Sequence, residues 1–87
     1  MENKIAISFG VDCYPGSPRP DAYAKKVFEY LGLEYINPYS MVFGAWEWEV
    51  SIDEDKYHDF DKWMRETMDA LYESGRIRGA RWGKLKD

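Results

Sequence analysis

Few residues in this chain have the chemistry to act as nucleophile, base or metal ligand. Cys13 is the only cysteine and His58 the only histidine among 87 residues. Cys13 opens the run Cys13-Tyr14-Pro15-Gly16-Ser17-Pro18-Arg19, which puts a candidate thiolate and an anion-clamping guanidinium in one loop. Such a loop holds an oxyanion with successive backbone N–H groups. Pro15 and Pro18 each remove one of them. His58 has Asp55, Asp59 and Asp61 nearby, but a histidine on the polar side of a helix is ordinarily solvated. Asp53-x-Asp55 has the carboxylate spacing that opens a calcium loop. Tyr57 then takes the fifth position, His58 the place that needs glycine, and Met64 the place of the closing glutamate. The expectation is no metal site, no catalytic constellation and no cofactor.

Three resemblances attach to these residues. The C-x5-R run resembles the phosphate loop of cysteine-dependent phosphatases, which implies Cys13 as nucleophile and Arg19 as phosphate clamp. Pro20 replaces the Ser or Thr that commonly follows the arginine. The first half also resembles the βαβ unit of thiol reductases, with a Cys-bearing loop between strand and helix. Position 16 is Gly rather than the second cysteine, and no later segment supplies the family's cis-proline strand. Residues 41–48, Met41-Val42-Phe43-Gly44-Ala45-Trp46-Glu47-Trp48, are similar to the third strand of the RNA-recognition motif. Phe43, Gly44 and Trp48 fit; the leading basic residue and glycine are absent, and Ala45 replaces the second stacking ring. Ser8 stands where the first strand would need an exposed aromatic, and Glu47 and Glu49 would repel a phosphate backbone.

At 87 residues the chain has room for one domain with one core. It is 45% hydrophobic and 17% aromatic, which a disordered chain would not be. A single cysteine permits no internal disulfide and points to a reducing, cytoplasmic setting. The N-terminal residues show no signal-peptide pattern, and no apolar run approaches the ~20 residues of a membrane span, so neither export nor membrane insertion is expected. The net charge of −4 is unevenly spread. Residues 47–61 contain Glu47, Glu49, Asp53, Glu54, Asp55, Asp59 and Asp61 against Lys56 alone. Residues 75–87 contain Arg76, Arg78, Arg81, Lys84 and Lys86 against Asp87.

Periodicity supplies the elements. Ile5, Ile7, Phe9 and Val11 alternate with smaller or polar residues, as in a half-buried strand. Pro20 starts a helix whose stripe is Ala24, Val27, Phe28 and Leu31, ended by Gly32. A short strand is expected at 33–37. A longer one is expected at 41–52, with Trp46, Trp48, Val50 and Ile52 towards the helices and Met41, Phe43, Ala45, Glu47 and Glu49 on the opposite face. Asp53 caps a second helix with the stripe Tyr57, Phe60, Met64, Met68 and Leu71, which Gly75 ends. Arg76-Ile77-Arg78 could begin a fourth strand. The order β-α-β-β-α-β is the split βαβ pattern of ferredoxin-like domains, an α+β two-layer sandwich with two helices on one face of a four-stranded sheet. The expected organisation is one domain over 1–78 and a basic tail over 79–87.

The function expected from these features is non-enzymatic binding of a protein with a basic surface. The contact residues would be Met41, Phe43, Glu47, Glu49, Asp53, Glu54 and Asp55, with apolar anchors and carboxylates that steer approach. In size and charge such a chain is similar to small phage and mobile-element inhibitors of nucleic-acid-handling enzymes, anti-CRISPR proteins among them. The alternative is single-stranded nucleic-acid binding through Arg76, Arg78, Arg81, Trp82 and Lys84 together with the degenerate RNA-recognition-like strand around Phe43. A more remote one is phosphatase-like chemistry at Cys13 and Arg19. Either a monomer or a homodimer formed over the open sheet face is compatible with the pattern.

Overall fold

A computed structural model describes residues 3–14, 19–42 and 44–85. Phe43, Lys86 and the interior of the Cys13–Arg19 loop, all singled out above, lie outside the described residues. The elements run in the order β1 (Lys4–Asp12), α1 (Pro20–Leu31), β2 (Ser40–Val42), β3 (Ala45–Asp53), α2 (Tyr57–Glu73) and β4 (Gly79–Lys84), with a 3-10 turn over Glu54–Lys56. The fold is α+β: an open four-stranded sheet with strand order β2-β3-β1-β4, every neighbouring pair antiparallel, and two helices.

The alternation in β1 sets the layers. Ile5, Ile7, Phe9 and Val11 lie directly opposite Ile52, Val50, Trp48 and Trp46 of β3, so these eight side chains share one face. Both helices contribute to the same core, α1 with Tyr23, Ala24, Val27 and Phe28, and α2 with Phe60, Met64 and Met68. Phe9 stacks on Trp48 with ring centroids 5.6 Å apart and meets the edge of Phe28 at the same separation. Such pairs add about 0.5–1.5 kcal/mol each beyond area burial, which matters in a core this small. As expected, Gly32 and Gly75 end the helices in left-handed conformation, at φ 71° and 75°.

Three expectations fail. The run 33–37 is not a strand. It crosses beside β3 without ladder pairing, and the Ile36 carbonyl accepts a hydrogen bond from Trp48 Nε1 at 3.0 Å. Pro38 has no N–H for a ladder, so pairing begins only at Ser40. Residues 41–52 are not one strand either, because the chain reverses between Val42 and Ala45 and folds β2 back on β3. Gly44 has φ 82°, and a Cβ there would sit 2.8 Å from the Cys13 carbonyl oxygen, so only glycine makes this turn. Its carbonyl accepts from the Cys13 N–H at 3.0 Å. Third, Gly79–Lys84, expected in a tail, is a full strand beside β1. Ala80 and Trp82 pack on the core, Ile77 just before them is fully buried, and Arg81 emerges on the other face.

Asp53 departs from expectation in detail. It sits at the N-terminus of the 3-10 turn but makes no side-chain cap. Its nearly buried carboxylate instead pairs with Lys4 Nζ at 2.8 Å, with Lys56 Nζ at 3.8 Å. The hydrogen bond from Lys4, with the charges of both lysines, holds the Asp53 carboxyl below its ordinary value against the opposing cost of burial.

Candidate functional site

The hairpin of β2 and β3 redistributes the expected contact residues. Ser40, Met41 and Val42 face Glu47, Trp46 and Ala45. Even-numbered residues of β2 therefore share a face with odd-numbered residues of β3, the reverse of an unbroken strand. Met41 stands with Trp46 on the helix side, and Val42 takes its place beside Ala45 on the open side. The expected grouping of Met41 with Glu47 and Glu49 is corrected accordingly.

Glu47 is not a free acid. Glu47 of β3 and Arg81 of β4 both lie opposite Gly10 of the central strand β1. Arg81 Nε donates to Glu47 Oε1 at 2.8 Å across the glycine. A Cβ on Gly10 would fall 3.0 Å from Glu47 Cγ and 3.6 Å from Arg81 Cγ, so the bare backbone gives the pair its path. Glu49, two residues on, is exposed, as are Glu54 and Asp55 in the 3-10 turn at the far end of β3.

The residues offered for nucleic-acid binding are likewise engaged by the body. Arg78 Nη2 donates to Asp12 Oδ2 at 3.3 Å, and Arg81 is tied to Glu47. Trp82 Nε1 donates to Asp61 Oδ1 of α2 at 2.8 Å, and Lys84 Nζ lies 4.9 Å from the centroid of the Tyr57 ring. Arg81 projects from the open face, while Trp82 and Lys84, opposite Phe9 and Ile7, are on the helix face. A single basic stripe does not form; Arg76 is exposed beyond the end of α2. The open face of β1 and β3 offers Ala6, Ser8, Gly10, Ala45, Glu47, Glu49 and Ser51, none of which is aromatic. Trp48, one of the two rings that fitted the RNA-recognition pattern, is fully buried.

Cys13 is only 3% exposed. Burial pushes its thiol up, and the carboxylates of Asp12 and Asp21 push it further, away from the thiolate that nucleophilic chemistry requires. The Arg19 guanidinium lies 5.2 Å from the centroid of Trp46. Among the described residues no group of three or more His, Cys, Asp or Glu is placed to hold a metal ion, and His58 is a surface residue of α2. Among those residues, too, no helix is long and apolar enough to cross a membrane.

What the residue types did not reveal is the apolar margin at β2. Tyr39, Met41 and Val42 are 60, 58 and 57% exposed, and Leu33 and Ile36 are exposed just before them. Between Lys26 and Lys56 the chain has no lysine or arginine, and it presents Glu34 and Glu49 to solvent here; the cations closest by are Arg19, over the Trp46 ring, and Lys25, over the Tyr35 ring. Partial burial and the nearby Glu47 and Glu49 carboxylates raise the Tyr39 phenol above its ordinary value. An open groove of about 360 Å³ runs here, lined by Phe28, Leu33, Glu34 and Ile36 together with Glu49, Val50 and Ser51 of β3. The base-free interval was visible in the sequence as a signal, but its apolar neighbours needed the hairpin to be known. Comparison of the chain with protein-family models, with curated proteins and with solved structures gives no match.

Proposed function

We propose that this chain is a small non-enzymatic binding domain, an adaptor or inhibitor, that docks a cationic protein surface along the β2 margin of its sheet. One contrast carries the reading. The bases Arg78, Arg81 and Lys84 are each held by an acid or ring of the same molecule, whereas Glu34 and Glu49 stand exposed beside Ile36, Tyr39, Met41 and Val42. Apolar anchors with like-signed charges around them suit a partner of opposite charge, since the anchors supply affinity and the charges supply approach and register. The element order, with strand order β2-β3-β1-β4, supports assigning the domain to the ferredoxin-like topology, in which β2 is an edge strand. The buried, raised Cys13 thiol supports a binding role over thiol-based catalysis.

The test is affinity capture from the native host's lysate, split into nuclease-treated and untreated halves, with Glu34→Lys/Glu49→Lys as the comparison. Glu47 is left intact because reversing it would break its bond to Arg81. The expected result is a stoichiometric protein that survives nuclease, weakens with salt and is lost from the reversed variant. Recovery of nucleic acid in its place, or a partner indifferent to the reversal, would sink the proposal.

A further inference from the structure

β3 has nine residues, Ala45–Asp53, but β2 covers only three of them, Ala45 to Glu47. Tyr39 N–H donates to the Glu47 carbonyl at 2.9 Å, which shows that the polar groups of Glu47 point towards the β2 side. By the two-residue period of a strand, the N–H and C=O of Glu49 and Ser51 point the same way. No strand of the described residues lies there. The segment 33–38 passes alongside without a ladder, and the groove described above opens between it and this stretch of β3.

Taking the protein-binding reading as its basis, the geometry points to strand addition. An extended segment of a partner protein, with lysine or arginine alternating with apolar residues, adds to β3 beside Glu49 and Ser51 and continues the line of β2. The free edge supplies main-chain hydrogen bonds, the usual source of affinity in β-augmentation. Alternation sets the sequence preference. Side chains of the added strand on the Glu49 face meet that carboxylate, and so are cations. Those on the Val50 face enter the groove by Leu33 and Ile36, and so are apolar. Glu34 adds a second exposed carboxylate at the groove. A second copy of this chain is the poorer occupant, because its corresponding margin is equally acidic and without bases between Lys26 and Lys56.

The experiment uses a capped hexapeptide of alternating lysine and valine, titrated into the ¹⁵N-labelled chain. Two further versions are N-methylated, one at each alternate set of peptide bonds. Saturable shifts centred on the Glu49 and Ser51 amides are expected. One methylated version should lose about tenfold or more in affinity while the other binds as the parent does. Ser51→Pro, which deletes an outward N–H that β1 does not use, should weaken binding with the fold retained. Equal binding by both methylated peptides overturns strand addition. It leaves cationic docking standing if Glu34→Lys/Glu49→Lys still abolishes the interaction. No binding by the lysine peptide, when the captured partner does bind, also overturns strand addition. Concentration-dependent shifts at the same two amides without peptide assign the edge to a second copy and overturn the choice of occupant.

Discussion

The two margins of the sheet treat charge in opposite ways. At the β4 margin, a six-residue strand lies fully along β1, and its cations are bound within the molecule by Glu47 and the Tyr57 ring, with Arg78 held by Asp12 just before it. At the β2 margin, a three-residue strand covers a third of β3, and exposed apolar side chains stand among carboxylates without a lysine or arginine in the surrounding sequence. The basic segment that looks like a ligand-binding tail is thus part of the scaffold, and the unremarkable stretch after α1 is where surface chemistry is left over. On the binding reading proposed above, exposed charge matters more than total charge in choosing between the margins.

The largest effect is expected from breaking the β2 margin at its turn. Gly44→Ala places a side chain at φ 82° and a Cβ 2.8 Å from a backbone oxygen of Cys13 that cannot swing aside. Left-handed strain and the clash together cost about 3 kcal/mol. The urea midpoint should fall accordingly, and binding at the β2 margin should fall with it. An unchanged midpoint would mean that the hairpin does not hold β2 in this register.

A smaller effect separates two glycines that share a cross-strand region. A Cβ on Gly10 would press on Glu47 Cγ at 3.0 Å and the Trp46 carbonyl oxygen at 3.2 Å, whereas one on Gly83 meets nothing within 4 Å. The first neighbour is a side chain that can yield, so Gly10→Ala should cost about 1 kcal/mol, near the lower end for overpacking. Gly83→Ala should be neutral or stabilise by about 0.5 kcal/mol, through the entropy it removes from the unfolded chain. Equal values for the two would show that the Glu47–Arg81 bridge does not need the bare strand between them.

Much of the scaffold was legible because it rests on local period. The β1 alternation, the α1 stripe from Ala24 to Leu31, its glycine stop, and the helix-facing side of Trp46 to Ile52 all follow from neighbours in sequence. The failures share a cause as well. A glycine inside a strand-like run marks either a bulge or a reversal, and reading through Gly44 put Met41 on the wrong face. In β4, Gly79 and Gly83 mask strand character that only pairing with β1 supplies. The candidate site was less legible. Exposed Glu49 was named from the sequence, but Glu47 was lost to Arg81, a partner 34 positions away that no spacing rule connects to it.

Where β3 ends, Asp53 gives the scaffold a pH dependence. Its folded-state pKa is depressed, chiefly by the hydrogen bond from Lys4, so its stabilisation is present in full above the unfolded carboxylate value of about 4. It is lost as pH falls through the lower folded value. Urea midpoints measured from neutral pH down through that range should decline in the parent, and Asp53→Asn should remove part of the decline. Matching profiles for the parent and Asp53→Asn would show that the Lys4 pair contributes nothing to folding.

The smallest expected effect bears most directly on the contrast between the margins. Arg81 and Glu47 form a half-exposed pair, with side chains 67 and 25% accessible, and a double-mutant cycle should give a coupling of only about 0.5 kcal/mol, reduced by salt. Its consequence for binding is clearer than its consequence for stability. Glu47→Gln removes the charge that occupies Arg81 and leaves the arginine on the open face without its counterion. If internal pairing is what keeps the β4 margin from binding polyanions, affinity for a single-stranded oligonucleotide should rise severalfold in Glu47→Gln, and Arg81→Gln on that background should reverse the rise. A parent that binds the oligonucleotide as tightly as Glu47→Gln would show that the basic strand is available despite its partners, and the two margins would then compete as candidate surfaces on equal terms.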